Sequence, residues 1–226
     1  MSVLINEHID LLLKSTSRSF YPTLKYLPKK VRGQIGLLYL LARVADTIAD
    51  SKHGETEVLL KILKQYNEVA QGNIETLPDF DMIAKIQDNP DEAELLQNVQ
   101  SVIEGLEVYD SGDKQRMLEC LDVIVSGQVL DLERFGPAKE GGKISALEDN
   151  EQMDDYTYRV AGCVGVFWTK MSLAHLIKMS PTKEEEFFEK GIRFGKALQM
   201  INILRDIPED LRFGRCYICL LYTSDA

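Results

Sequence analysis

Apolar positions along the chain recur mainly at a spacing of three and four, and no stretch alternates convincingly at period two. The strongest segment is residues 29–49, where Val31, Ile35, Leu38, Leu41, Val44, Ala45 and Ile48 mark one long helix. Pro28 stands just before it, where a helix tolerates proline best. An amphipathic helix is predicted over 55–71, with Val58, Leu59, Ile62, Leu63 and Tyr66 on its apolar face. Residues 8–15 read as a short apolar helix ending in a Ser/Thr cluster. Residues 72–90 are broken by turn formers. Further helices are predicted over 91–110, 113–135, 153–179 and 183–205, with a loop at 136–143 marked by Pro137, Gly141 and Gly142. The expected fold class is all-α, a helical bundle around a central cavity, with no internal repeat and no dividing linker.

Two acidic patterns interrupt this scheme. Asp46 and Asp50 stand four apart near the end of the most apolar helix, on one face and about 6 Å apart along the axis. Like charges so placed oppose the helix by roughly 0.2–0.5 kcal/mol, and the macrodipole disfavours anions at that end. A bridging divalent cation offsets the cost. Magnesium suits best, since it takes one or two carboxylates and completes its shell with water and phosphate oxygens. Asn202, Asp206 and Asp210 repeat the spacing, with Gln199 one turn earlier. A solvated helix end explains either pattern alone; facing each other across a bundle, the two could hold magnesium around a diphosphate. Arg43 precedes Asp46 by a turn and Arg205 adjoins Asp206, and a guanidinium fork matches phosphate oxygens. Pro208, between Asp206 and Asp210, is expected to kink the helix and displace Asp210.

Charge narrows the function classes. Of 226 residues, 36 are acidic and 26 basic, a formal charge of −10 that argues against nucleic acid as a partner. A 45% hydrophobic composition suffices for one substantial core. The four cysteines show no framework spacing and no signal peptide opens the chain, so a reducing cytoplasm is the expected location. Cys216 and Cys219 form a C-x-x-C without a second pair, a poor case for zinc. His8, His53 and His175 are scattered and read as structural or surface residues.

Four blocks stand in register along the chain: Ser17-Arg18-Ser19-Phe20; Tyr39, Arg43, Asp46 and Asp50 at Y-x3-R-x2-D-x3-D spacing; Tyr156 followed by Val160, Ala161, Gly162 and Gly165; and Gln199, Asn202, Arg205, Asp206 and Asp210, followed by Arg215 and Tyr217. Together they resemble the squalene/phytoene synthase family of head-to-head prenyl synthases, and the form of the first aspartate motif is closest to the squalene synthases. The resemblance implies an isoprenoid synthase-type helical domain over residues 1–218. Residues 219–226 match nothing in the family, and the chain is expected to be truncated at its C-terminus. It further implies a monomer with magnesium on Asp46, Asp50, Asn202, Asp206 and Asp210, and diphosphate on Ser17, Arg18, Ser19, Arg43, Arg205 and Arg215. Phe20, Tyr39 and Tyr156 would serve catalysis by stabilising carbocations or handling protons. Val160, Ala161, Gly162, Gly165, Gln128, Asp131 and Gln199 would line the cavity, the glycines either widening it or letting helices approach.

The implied reaction joins two farnesyl diphosphates through presqualene diphosphate to squalene, with NADPH supplying hydride. No G-x-G-x-x-G is present, so NADPH rests on the resemblance alone. Dehydrosqualene or phytoene synthesis, without the hydride step, is the nearest alternative. A non-catalytic helical scaffold is the alternative of a different class, disfavoured because a scaffold gains nothing from paired like charges. Peripheral, reversible contact with the cytoplasmic membrane face is expected from so apolar a product.

Overall fold

The computed structural model describes residues 6–17, 20–51, 54–137, 140–141 and 143–218. Arg18, Ser19, His53, Cys219 and the unmatched tail lie outside the described residues. Helices α1 (Glu7–Ser17) and α2 (Phe20–Tyr26) lead into α3 (Lys29–Ala49), the central rod, whose buried positions run around most of its circumference. It is covered by α4 (Thr56–Ala70) and α8 (Ser111–Phe135), with α5 (Asp81–Ala84), α6 (Pro90–Gln97), α7 (Val99–Glu104) and a 3-10 turn (Gly105–Val108) between. Then follow α9 (Asn150–Thr157), a π-helical segment (Tyr158–Gly162), α10 (Cys163–His175) and α11 (Pro181–Arg212). No described helix is long and apolar enough to cross a membrane.

Local chemistry sets the ends. Asp110 caps α8, its carboxylate accepting from the Asp113 amide at 2.9 Å, and Gly136 ends the helix at φ +68°. The single helix expected over 91–110 is instead three pieces. Asn98 turns its amide back onto the Glu94 carbonyl at 2.8 Å and stands between α6 and α7. The expected stop near residue 205 is also corrected: α11 runs on through Pro208 to Arg212. Leu204, whose carbonyl loses its usual N–H partner to that proline, is exposed, as is Pro208, so water can satisfy the freed oxygen.

The main core joins α1, α3, α4, α6, α8 and α10, with Tyr66 and Phe167 its largest fully buried side chains. Each such burial contributes roughly 1.5–3 kcal/mol. The Tyr66 hydroxyl donates to the Leu41 carbonyl at 2.9 Å, so its polar end costs little. A second cluster of Leu147, Tyr156, Ile203 and Tyr217 packs where α9 meets α11. One parallel two-residue ladder, β1 (Ser145–Ala146) with β2 (Arg215–Cys216), ties the chain beyond α11 to the segment after α8. It was not expected from the sequence, and it delivers Arg215 and Tyr217 to the site.

Candidate active site

The two aspartate pairs reach one hollow. A chamber of about 390 Å³ is lined by Asp46 of α3 and Asp50 at its C-terminal cap, Gln128 and Asp131 from α8, and Asp206 from α11. Tyr156, Val160, Gln199, Asn202, Arg205, Arg215 and Tyr217 line it too, with Ala42, Ile124 and Val164. An adjoining chamber of about 170 Å³ adds Asp210 and Ile203 and shares Asp50, Asp206 and Arg215. The continuous course of α11 keeps Asp206 and Asp210 on the chamber side, contrary to the displacement expected from Pro208.

Charge in this hollow is poorly compensated. Burial, then repulsion from Asp50, pushes Asp46 up to about 7, although Gln128 donates to its Oδ1 at 2.5 Å. Asp50 is also raised by burial, against the pull of Arg215 and Arg43. Its side chain keeps 65% of its surface exposed, while Arg215 lies 3.3 Å from its Oδ1. Asp210 rises to about 6 through burial and Asp206. Asp206 moves the other way, lowered by a two-pronged bond from Arg205: Nε to Oδ1 at 2.7 Å and an η nitrogen to Oδ2 at 2.6 Å.

Arg215 organises the floor. Its guanidinium, 8% exposed, lies 3.3 Å from both Asp50 Oδ1 and Asp131 Oδ2, and donates to the Gly136 carbonyl at 3.2 Å. Burial works against its charge, but Tyr217, Asp131 and Asp50 outweigh it and hold the proton. Asp131 still rises to about 6, because burial exceeds the help from Arg215 and from the Tyr217 hydroxyl, which donates to it at 2.9 Å. The rings of Tyr217 and Tyr156 stack at 4.5 Å, and burial raises both phenols. Among the described residues, Asp131 Oδ1 and Arg215 Nε are buried without a hydrogen-bond partner. Such atoms at a cavity are unused capacity for a ligand.

Other expected site residues lie apart from the chambers. Arg43 lines neither; it is paired with Glu92 of α6, and its buried Nε has no hydrogen-bond partner among the described residues. Burial opposes its charge, and Asp46 and Glu92 outweigh that. Phe20 and Tyr39 pack together against the main core, with centroids 5.0 Å apart, and Tyr39 donates to the Thr16 carbonyl at 3.3 Å. The Ser17 hydroxyl is buried and donates to the Leu13 carbonyl.

Of the small residues, Ala161, Gly162 and Gly165 do not line the chambers, which corrects the expectation of a cavity-lining role. A Cβ on Gly165 would lie 2.0 Å from the Gly191 carbonyl oxygen, and one on Gly195 would lie 2.2 Å from that of Ala161. They let α11 close on α10 and the π segment. The Tyr217 hydroxyl is a site member without a sequence-based role, and Glu92, outside the chambers, takes the arginine expected to hold phosphate. Tyr217 stood in a quoted motif without a role, and Glu92 gave no signal at all.

Among the described residues no group of three or more His, Cys, Asp or Glu could hold a metal ion on its own. His175 lies 2.8 Å from Asp113 Oδ1 and His8 lies 2.9 Å from Asn98 Oδ1, consistent with structural places for both.

A family model described as squalene/phytoene synthase matches residues 13–220. The chain is 26% identical over 206 residues to 4,4'-diapophytoene synthase of Staphylococcus haemolyticus, covering 91% of this chain and 59% of that protein. It is 28% identical over 214 residues to a squalene synthase of Saccharomyces cerevisiae, covering 93% and 44%. Among solved structures, TcSQS with the ligand BPH1237 superposes with a TM-score of 0.71 at 20% identity, over 94% of this chain and 57% of that one. A dehydrosqualene synthase in complex with ligand gives 0.59 at 19% identity, over 97% and 63%. The chain thus spans about half the length of the relatives it matches.

Proposed function

Because the chain belongs to the squalene/phytoene synthase family and has its all-α isoprenoid synthase fold, we propose that it forms the aspartate-bearing part of an enzyme that joins two farnesyl diphosphates head to head, through presqualene diphosphate, to squalene. The observation that supports this most is the convergence of the α3 and α11 carboxylates on one hollow with too little positive charge of its own. A diphosphate alone would worsen that imbalance; a diphosphate with divalent cations would relieve it.

The donor set fits magnesium. It is all oxygen, it comes as carboxylate pairs on facing helices, and it leaves positions for water and phosphate. Asp46 and Asp50 on one side, with Asn202, Asp206 and Asp210 on the other, would hold the ions. When bound, magnesium would neutralise negative charge on the departing diphosphate. Arg215 and Arg205 would contact phosphate oxygens, and Arg43 would have to leave Glu92 to do so. Tyr156 and Tyr217 both line the hollow, and an aromatic ring facing a passing cation would favour it by about 0.5–2 kcal/mol. Ala42, Ile124, Val160 and Val164 supply the aliphatic part of the wall, the part a carbocation would need.

The second reading, dehydrosqualene or phytoene formation without NADPH, is favoured by the likeness to 4,4'-diapophytoene synthase. The test is incubation of the purified full-length protein with labelled farnesyl or geranylgeranyl diphosphate and Mg2+, with and without NADPH. Squalene formed only with NADPH supports the first reading. Dehydrosqualene in both cases, or phytoene from the longer substrate, supports the second. Absence of any product and of pyrophosphate release refutes both. Peripheral membrane contact belongs to the same proposal, and complete recovery in the supernatant of a liposome co-sedimentation would refute it.

A further inference from the structure

One pair of reactive groups plays no part in that chemistry. Cys120 of α8 and Cys163, the first residue of α10, face each other with sulfurs 3.9 Å apart, both free thiols and both buried. The Cys120 thiol donates to Cys163 Sγ, and the Cys163 thiol lies 3.0 Å from the Arg159 carbonyl. Both line a small pocket of about 130 Å³. Three other residues of that pocket, Arg116, Glu119 and Lys170, also line a surface groove of about 520 Å³. The thiols are therefore within reach of a very small solute and shielded from a large one.

We propose that Cys120 and Cys163 are a redox pair that a small peroxide oxidises to a disulfide joining α8 to α10. Cys163 Sγ, which accepts the Cys120 hydrogen bond, attacks one oxygen of hydrogen peroxide. The O–O bond breaks, the departing hydroxide takes the Cys163 thiol proton and leaves as water, and Cys163 becomes a sulfenic acid. The Cys120 thiol is held well above its ordinary range by its bond to Cys163 and by burial, so it keeps its proton while Cys163 makes the first attack. Its sulfur attacks Cys163 Sγ, the S–O bond breaks, and hydroxide leaves as water with the Cys120 proton. In sum, two thiols and one peroxide give one disulfide and two waters, with two electrons passing from the sulfurs to peroxide.

The position of the link gives it a consequence. On α8, Cys120, Ile124, Gln128 and Asp131 follow one another along one face, and the last three line the larger chamber. On the facing segment, Cys163, Val160 and Tyr156 run the other way, and Val160 and Tyr156 line it too. Between them a Cβ on Gly127 would lie 2.9 Å from the Arg159 Cβ, so the two backbones are already close. Closing the sulfurs to about 2.05 Å therefore clamps one end of the seam whose other end carries Tyr156 and Asp131. That consequence rests on the prenyl-transfer reading; the disulfide does not.

The experiment treats the native full-length protein with hydrogen peroxide, unfolds it, alkylates the remaining thiols, and digests it without reductant for mass spectrometry. A peptide joining residues 120 and 163, lighter by two hydrogens than its halves and cleaved by dithiothreitol, is the expected result. The oxidised protein should also melt several degrees higher, because the link restrains a long loop in the unfolded chain. Cys120→Ala and Cys163→Ala should each abolish both the peptide and the shift, and a bulky aromatic disulfide should oxidise the native pair far more slowly than peroxide. The proposal is overturned if both cysteines are recovered as alkylated thiols, or as separate sulfinic acids, or if the link forms only after unfolding. These readouts require no catalytic activity, so their failure and that of the prenyl-transfer reading are distinguishable.

Discussion

Replacing Arg215 with methionine tests whether that one cation holds Asp131 ionised beneath the site. Asp131 titrates near 6 against 3.8 for the free group, so burying it as an anion already costs about 3 kcal/mol with Arg215 in place. Without the guanidinium the carboxyl escapes further cost by keeping its proton. At pH 7 that route costs about 4 kcal/mol relative to an unfolded chain in which Asp131 is ionised. The electrostatic loss at pH 7 is therefore only about 1 kcal/mol. Losing the hydrogen bond to Gly136 adds about 1 kcal/mol more.

The total, about 2 kcal/mol, falls below the roughly 3–5 kcal/mol usual for breaking a buried pair. Its signature is the pH dependence. In the variant the folded state holds a proton that the unfolded state lacks, so the penalty grows by about 1.4 kcal/mol per pH unit above pH 6, until the new pKa is passed. Asp50 and Asp210, which also feel Arg215, add slopes of the same sign that the Asp131 substitution leaves in place. Urea unfolding of Arg215→Met and of Arg215→Met/Asp131→Asn across this range is the assay, and the double variant should lose the part of the slope due to Asp131. A penalty independent of pH, or a double variant that keeps the full slope, would refute the reasoning.

Without metal, stability should rise as pH falls from about 7 to about 5. Asp46, Asp131 and Asp210 bind protons more tightly folded than unfolded, and calorimetry showing a fall over that interval would contradict it. Added Mg2+ should raise the melting temperature more at about pH 8 than at about pH 5.5, since it competes with those protons; an equal shift at both would count against the site. Asp46→Asn should lower hydrocarbon formation roughly 1000-fold while leaving metal-free stability unchanged or higher; lost activity with a collapsed melting temperature would instead mean a folding defect. Gly165→Ala should destabilise by about 1–3 kcal/mol or more, because its Cβ meets a backbone oxygen that cannot rotate away. A change within error in urea unfolding would show that α10 and α11 do not need this contact.

What could be read in advance divides by the range of the interaction. The long helix at Lys29–Ala49 and the spacing of Asp46 and Asp50 are local facts, carried by a 3.6-residue period and a four-residue interval. Like charges one turn apart are visible in a sequence because they are locally unfavourable. What compensates them is chosen by the fold. Arg43 meets Glu92 49 residues away, and Arg215 meets Asp131 84 residues away, with no period linking either pair. The α10–α11 contact was partly visible, since Gly191 and Gly195 stand one turn apart like the small residues opposite them. The break at Asn98 was also written locally, in an asparagine able to bond its own helix, but helical period outweighed it in the reading. At Pro208 the opposite error arose from treating proline's cost as fixed. That cost depends on whether the carbonyl it strands can find water, and the exposed side of α11 provides it. The same distinction explains why aromatics chosen by motif fell into two groups. Tyr156 is drawn to the hollow by Tyr217 and the short β ladder, whereas Phe20 and Tyr39 are held by each other against the main core. If prenyl transfer uses all three, Phe20 and Tyr39, held against the main core, act at a different stage from Tyr156 in the hollow. Alanine at Tyr39 and at Tyr156 should then block different steps, one before and one after presqualene diphosphate accumulates; identical product profiles would show that they serve one step.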